Sequence, residues 1–129
     1  MVAALNSRAQ IFDALKSKYI DSLTGAEKIF AAYSVNHGAT EAFLKFLDSN
    51  GVVFDQGKPV NGIAFWSKKE KTPGILTWRP NYADISASGD FGYTSGVWTF
   101  HPRSVHDSAV ARGQYTRVWH RNKKPRPIL

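Results

Sequence analysis

The stretch that decides the fold is a series of three β-type segments in the second half of the chain. They read Ile75-Leu-Thr-Trp-Arg-Pro-Asn-Tyr-Ala-Asp-Ile-Ser86, Phe91-Gly-Tyr-Thr-Ser-Gly-Val-Trp-Thr-Phe-His101 and Ala109-Val-Ala-Arg-Gly-Gln-Tyr-Thr-Arg-Val-Trp-His120. Each is rich in aromatic and β-branched residues, which fit a pleated and partly buried surface. Only short polar connections separate the segments, and no helical stretch lies between them. The sequence therefore predicts a three-stranded antiparallel meander.

The first half of the chain has helical spacing. Apolar residues recur at helical intervals through residues 2–23, which predicts a first helix. The motif Thr24-Gly-Ala-Glu27 matches a capping box and predicts the start of a second helix, which Gly38 would end. The other predicted elements are a helix over 40–47, a strand over 51–55, one or two helical turns over 63–67 and a solvated connector over 68–74. Helices first and a meander second is the α+β arrangement.

Both faces of the predicted sheet carry apolar side chains. In the third segment, Tyr115 and Trp119 alternate with Thr116 and Val118, so neither face is purely polar. The helices would cover one face. We expect a second subunit, related by a twofold axis, on the other face, which predicts a homodimer through the sheet.

Composition limits the class of protein. A chain of 129 residues with 43% hydrophobic residues is predicted to be one globular domain. Its net charge of +7 is concentrated at the end, because four of the positive side chains lie in residues 121–129. The other 120 residues carry 13 positive and 10 negative side chains, so we do not expect the body to bind nucleic acid.

The sequence also bears on the compartment. No apolar run approaches the ~20 residues of a membrane span, so no membrane association is expected. The chain has no cysteine, which fits a reducing compartment and slightly favours the cytoplasm. A leader removed before Met1 would instead place the protein in the periplasm or outside the cell.

Several stretches carry a resemblance to a known family. They are Gly38-Ala-Thr-Glu-Ala-Phe-Leu-Lys-Phe-Leu47, Val60-Asn-Gly62, Gly74-Ile-Leu-Thr-Trp78, Ala83-Asp-Ile-Ser-Ala-Ser-Gly-Asp-Phe-Gly-Tyr-Thr-Ser-Gly-Val-Trp98 and Ala111-Arg-Gly-Gln-Tyr-Thr-Arg-Val-Trp119. In these stretches the chain resembles the SnoaL-like group of the nuclear-transport-factor-two-like superfamily, which also holds ketosteroid isomerase and scytalone dehydratase. The likeness is to a bacterial branch of unknown function. The resemblance implies a cone-shaped, bent antiparallel sheet wrapped around N-terminal helices, a cystatin-like α+β barrel, with a pocket at its open end.

The chain departs from the family pattern at both ends. Residues 1–23 are interpreted as an N-terminal helical extension, residues 24–121 as the SnoaL-like α+β domain, and residues 122–129 as a basic tail that contains proline. Family members usually finish with a last apolar strand. Pro125 and Pro127 lack the amide hydrogen that a ladder needs, so the tail is a poor inner strand.

A set of aromatic residues is predicted to line the pocket and bind a small, largely apolar or aromatic molecule. The set comprises Phe54, Phe65, Trp66, Trp78, Tyr82 and Trp98. Rings with phenol or indole hydrogen-bonding groups are typical of apolar ligand sites. Plain core packing is the favoured explanation for any one of them, and the pocket is favoured only for the set. If the rings fill the pocket themselves, the chain would instead be a structural or interaction module.

The catalytic alternative is a cofactor-independent isomerase, cyclase or hydrolase. Such chemistry needs a base in an apolar pocket and a donor for the developing oxyanion. The candidate bases are Asp55 and His37, and the candidate donors are Tyr93 and Tyr115. The chain has no phosphate loop, nucleophile elbow or zinc motif, and His101 with His106 is a weak metal pair. Neither a metal nor an organic cofactor is predicted.

Overall fold

The computed structural model describes residues 8–121, and the predicted tail over 122–129 and the start of the chain lie outside the described residues. The elements are α1 (Arg8–His37), α2 (Ala39–Phe46), β1 (Val52–Asp55), β2 (Lys58–Asn61), α3 (Gly62–Ser67), β3 (Ile75–Ile85), β4 (Phe91–His101) and β5 (Ala111–His120). The predicted α+β class is confirmed. One sheet has three strands in the order β3-β4-β5, and the other is the β1-β2 pair. The three-stranded sheet is not closed into a barrel.

The meander is confirmed, with its strands almost where the sequence predicts them. Neighbouring strands are antiparallel, with Trp78 opposite Trp98 and Trp98 opposite Gly113. Gly89 adopts a φ of 75° in the turn between β3 and β4, which glycine takes without strain. The register shifts between Pro80 and Tyr82, and such a bulge bends the strand and increases its twist.

The two predicted front helices are one helix, so the predicted capping box is wrong. The Thr24 hydroxyl donates to the carbonyl of Ile20 at 2.8 Å, one turn back within α1. Glu27 does not reach back to an amide, because its carboxylate lies fully buried against the sheet. A continuous stripe from Leu23 to Phe30 packs on β3. This packing keeps the helix intact through a motif that on its own favours a helix start.

The hairpin of β1 and β2 was only half predicted. The expected strand over 51–55 is present as β1, but the chain then turns at Gln56 and Gly57, with φ of 51° and 78°, and returns as β2. Two residues with positive φ are the requirement of a tight type I′ hairpin turn. Pro59 is accepted because a two-stranded sheet consists of edge strands alone.

The core lies between α1, α2 and the inner face of the three-stranded sheet. Its buried apolar residues are Leu23, Ala26, Phe30, Ala31, Ala42, Trp78, Ile85 and Trp119. Phe30 is the central ring, with its centroid 4.9 Å from Phe43 and 4.7 Å from Trp78. Because α1 runs along β3 and ends beside its first residues, the α1–α2 junction and one end of the sheet together frame a cleft.

Two regions lie outside this core. The outer face of the sheet exposes Tyr82, Tyr93 and Val118, the last with 71% of its surface accessible. Residues 8–18 of α1 are exposed at every position, including Ile11 and Phe12.

Candidate functional site

A cleft of about 350 Å³ lies where α1 turns into α2, opposite the connector from α3 to β3. One wall is apolar and consists of Trp66, Leu76 and Phe100. The other lining residues are His37, Gly38, Ala39, Thr40, Glu41, Lys69, Glu70, Lys71, Thr72 and Gly74. An apolar wall beside polar groups offers the two kinds of contact that a small-molecule site uses.

Local sequence explains why these residues meet. Gly38 has a φ of 96°, and its amide donates to the carbonyl of Ser34 at 2.8 Å, so α1 ends and α2 starts at once. The positive φ suits glycine at the end of a helix, as predicted. The Asn61 side chain accepts from the amide of Ala64 at 2.9 Å and starts α3. This placement lets Trp66 stack on Phe43, with parallel rings 4.2 Å apart.

The rim carries an ion pair. Lys71 Nζ donates to Glu41 Oε1 at 2.7 Å and joins the α3–β3 connector to α2. This hydrogen bond, with the positive charge of Lys71 and a smaller contribution from His37, lowers the pKa of the Glu41 carboxyl. The His37 ring lies against Tyr33, with centroids 4.2 Å apart. The lining of the cleft therefore includes the Lys71–Glu41 ion pair, whose charges cancel, and the imidazole of His37.

A second cleft, also of about 350 Å³, lies between β2 and α3. It is a more open depression than the first. Its lining residues are Asp55, Val60, Asn61, Ala64, Phe65, Lys68 and Lys69. Asp55 and His37, the two predicted bases, therefore line different clefts.

The interior contains a polar network that the sequence did not reveal. The carboxylate of Glu27, a residue with no accessible surface, accepts hydrogen bonds from four side chains. The donors are Trp78 Nε1 at 2.8 Å, Thr94 Oγ1 at 2.6 Å, Arg117 at 2.6 and 2.5 Å, and Trp119 Nε1 at 3.0 Å. A buried charge is tolerated only when it is paired and hydrogen-bonded, and both conditions hold here.

Rings surround the guanidinium of Arg117. Its central carbon lies 4.7 Å from the centroid of Phe30, 5.0 Å from that of Trp78 and 4.8 Å from that of Tyr115. These distances are typical of cation–π contacts. The Tyr115 hydroxyl is buried and has no hydrogen-bond partner among the described residues. Burial and, to a lesser extent, the charge of Glu27 raise the pKa of Tyr115.

Helical periodicity was the signal that could have identified Glu27. It lies four residues after Leu23 and three before Phe30, so it shares their face of α1. Arg117 likewise shares the inner face of β5 with Tyr115 and Trp119, two residues away on either side. A buried acid on one element and a buried base on another predict a pair.

The structure does not bring the four candidate catalytic residues together. His37 lines the first cleft and Asp55 the second. Tyr115 lies on the inner face of the sheet, against Arg117. Tyr93 lies on the outer face, with its ring 5.7 Å from that of Tyr82.

The candidate ligand-binding rings are also dispersed. Trp66 lines the first cleft and Phe65 the second. Trp78 is buried in the core, and Trp98 packs partly buried against it. The other two are exposed: Tyr82 on the outer sheet face and Phe54, 74% accessible, on the β1–β2 hairpin.

The loop histidine has a structural role. His101 Nδ1 lies 2.8 Å from the carbonyl of Asp107, and Nε2 lies 2.9 Å from Thr99 Oγ1. Because a carbonyl only accepts, Nδ1 carries a proton in this contact, and Nε2 shares a hydrogen bond with the Thr99 hydroxyl. In the described part of the chain, no three His, Asp or Glu side chains come together in a way that would hold a metal ion.

Comparison of the chain with protein-family models, curated proteins and solved structures found no match. Within residues 8–121, no helix combines the length and the apolar character that a membrane span needs. The function is therefore argued from the geometry of the cleft and of the sheet.

Proposed function

We propose that the chain is a small-molecule-binding domain of the SnoaL-like type, and that it takes a largely apolar or aromatic molecule in the cleft beside Trp66. The observation that carries the proposal is the composition of this cleft. Trp66, Leu76 and Phe100 offer apolar surface in a space of about 350 Å³, and the charged lining residues include the Lys71–Glu41 ion pair. That volume lies at the small end of the range for ligand pockets, which favours a compact ligand.

The proposed relation to the SnoaL-like fold has its own support. The order of elements, with helices first and a long meander second, agrees with that fold. The bulge at Pro80 and Tyr82 bends β3, as a sheet that wraps around helices requires. The cleft lies at one end of the sheet, where the resemblance implies a pocket.

Binding is favoured over catalysis because the cleft has a candidate base without a candidate donor. His37 lines it, but neither Tyr93 nor Tyr115 is among its lining residues. Proton abstraction next to a carbonyl requires both a base and a stabilised oxyanion within hydrogen-bond reach.

Blocking the cleft tests the proposal. Thr40 lies in the first turn of α2 and lines the cleft, so the indole of a Thr40→Trp variant would occupy the space of the ligand. We expect at least about tenfold weaker binding of 8-anilinonaphthalene-1-sulfonate, an anionic dye with apolar aromatic rings; this change corresponds to ~1.4 kcal/mol. Fluorescence titration measures the dye, and native mass spectrometry of wild type and variant measures any molecule retained from expression.

The matched control is Phe54→Ala, which removes an exposed ring that does not line the cleft. This variant should bind the dye as wild type does. Equal dye binding by T40W and wild type, or loss of binding in F54A, would contradict the assignment of the site.

A second candidate function is that of a dimeric structural or interaction module. It is favoured by the filled interior around Phe30 and by the exposed apolar side chains of the outer sheet face. Tyr82, Ser95 and Thr116 form one row across this face. A twofold axis along this row would set Arg79 of one copy opposite Asp84 of the other, because these residues lie on either side of it on β3.

This candidate predicts a dimer that a charge on the outer face weakens. Val118→Asp places a carboxylate on a side chain that is 71% accessible, so the fold of the subunit should be unaffected. We expect at least about tenfold weaker dimerisation by native mass spectrometry or sedimentation, because an unpaired charge would be buried in the interface. Val110→Asp, in the loop before β5 and 66% accessible, should leave the dimer intact. A monomeric wild type would remove this candidate.

A further inference from the structure

The connector over residues 68–74 forms one wall of the first cleft. Lys69, Glu70, Lys71, Thr72 and Gly74 all line it, although the sequence predicted only a solvated loop. The connector crosses from the end of α3 to the start of β3 on the side facing α2. A ligand that leaves the cleft on this side must pass it.

The connector is firmly held only at its two ends. At its start, the amide of Lys69 donates to the carbonyl of Trp66 at 3.2 Å. At its end, Gly74 lies directly under the ring of Phe100, because a Cβ at this position would be 1.9 Å from Phe100 Cζ. The glycine therefore allows the ring to cover the backbone and fix the entry into β3.

Between the ends there is a single link. Among residues 8–121, the hydrogen bond of Lys71 Nζ to Glu41 Oε1 at 2.7 Å is the one polar contact that residues 70–73 make. It ties the middle of the connector to the first turn of α2, 30 residues away in sequence. Both side chains are exposed enough for water and salt to compete, so the link is weak and breaks readily.

We propose that residues 68–74 are a strap along one side of the ligand cleft, with Lys71 and Glu41 as its latch, and that opening of the latch widens the path by which a ligand enters and leaves. The gating role rests on the proposed function of the cleft, whereas the latch itself does not. A strap fixed at both ends and latched weakly in the middle opens by local motion and leaves the core intact.

The latch is tested without ligand by hydrogen exchange of the Lys69 amide, which donates to the carbonyl of Trp66 at the start of the connector. Lys71→Gln removes the ion pair but keeps a side chain of similar reach. We expect exchange in K71Q to be about two- to fivefold faster than in wild type, the effect of losing one exposed ion pair. Glu41→Gln should give the same rise, and the exchanged pair Glu41→Lys with Lys71→Glu should restore the wild-type rate.

The matched control is Lys16→Gln, which breaks the exposed ion pair of Lys16 with Asp84, 3.2 Å apart, on another part of the surface. It should leave exchange of the Lys69 amide unchanged. Equal exchange in K71Q and wild type, or no restoration by the exchanged pair, would overturn the latch.

Stopped-flow binding of 8-anilinonaphthalene-1-sulfonate tests the gate. Association and dissociation should both become faster in K71Q by similar factors, with a Kd within about twofold of wild type. A raised Kd without faster association would mean that Lys71 contacts the dye directly, and this result would overturn the gate. If exchange responds as expected but the wild type binds no dye, the latch stands while the proposed function and its gate both fail.

Discussion

Replacing Glu27 with alanine is expected to lower the free energy of unfolding by about 3–5 kcal/mol, the usual cost of removing one partner from a buried ion pair. The substitution leaves the guanidinium of Arg117 without its counter-charge and the indole NH of Trp78 without its acceptor, while that of Trp119 keeps only Thr94 Oγ1 at 3.1 Å. A buried donor that loses its acceptor no longer has the hydrogen bond that offset the free-energy cost of removing it from water. Urea denaturation followed by tryptophan fluorescence measures the change.

A double substitution distinguishes the contribution of the Glu27–Arg117 ion pair to stability from that of the surrounding apolar packing. In Glu27→Met with Arg117→Met, both charges are gone and the apolar surroundings of Phe30 remain. We expect this variant to be more stable than E27A, because burying an apolar pair costs less than burying one unpaired charge. An E27A variant as stable as wild type would contradict the assigned role of Glu27.

The second large effect is expected for Gly96→Ala, which should destabilise the protein by about 3 kcal/mol or more. An added Cβ would lie 2.0 Å from the carbonyl oxygen of Arg79 and 2.9 Å from the Tyr115 hydroxyl. Overpacking usually costs about 1–3 kcal/mol, and here the obstacle is backbone of the neighbouring strand, next to the bulge at Pro80. Relief would require β3 and β4 to separate.

The matched comparison is Gly25→Ala within α1. Apart from the neighbouring residues and backbone of α1 itself, no atom of residues 8–121 lies within 4 Å of a Cβ added there, so the same chemical change should stabilise the helix by about 0.5–1 kcal/mol. Thermal unfolding of the two variants beside wild type gives the sign of each change. If G96A unfolds at the wild-type temperature, the close packing of β4 on β3 is not as described.

The strands were predictable because their signal is both local and repeated. Aromatic and β-branched residues alternate over about ten positions in β3, β4 and β5, so errors at single positions do not matter. The end of α1 was predictable for a different reason, since Gly38 accepts a φ that other residues avoid. Tertiary packing does not change either the strands or this helix end.

The failures have the opposite origin. The motif from Thr24 to Glu27 favours a helix start in isolation, but the apolar stripe from Leu23 to Phe30 fixes one helix across it. The second strand of the hairpin was missed because the segment 56–59 was interpreted as the end of the strand over 51–55, although an edge strand tolerates Pro59. In the first case a tertiary contact overrides a four-residue signal, and in the second the edge position removes the usual constraint on proline.

The candidate site was predicted only in fragments. His37 and Trp66 line the first cleft, yet their positions in sequence give no reason to expect Leu76 and Phe100 beside them. The contribution of Lys71 was hidden because a run of charges between helix and strand is usually solvated. Only the distance to Glu41 identifies it as part of the wall.

The exposure of residues 8–18 gives α1 a gradient of stability along its own axis. A free helix of fewer than ~12–15 residues is marginal in water, and these first turns have little tertiary packing to add. Opening the helix at this end therefore costs little, while opening it beyond Leu23 means dismantling the core. We therefore expect local unfolding that begins at Arg8 to stop before it reaches His37. The same helix thus has a first part that opens easily and a stable last part that forms one edge of the cleft.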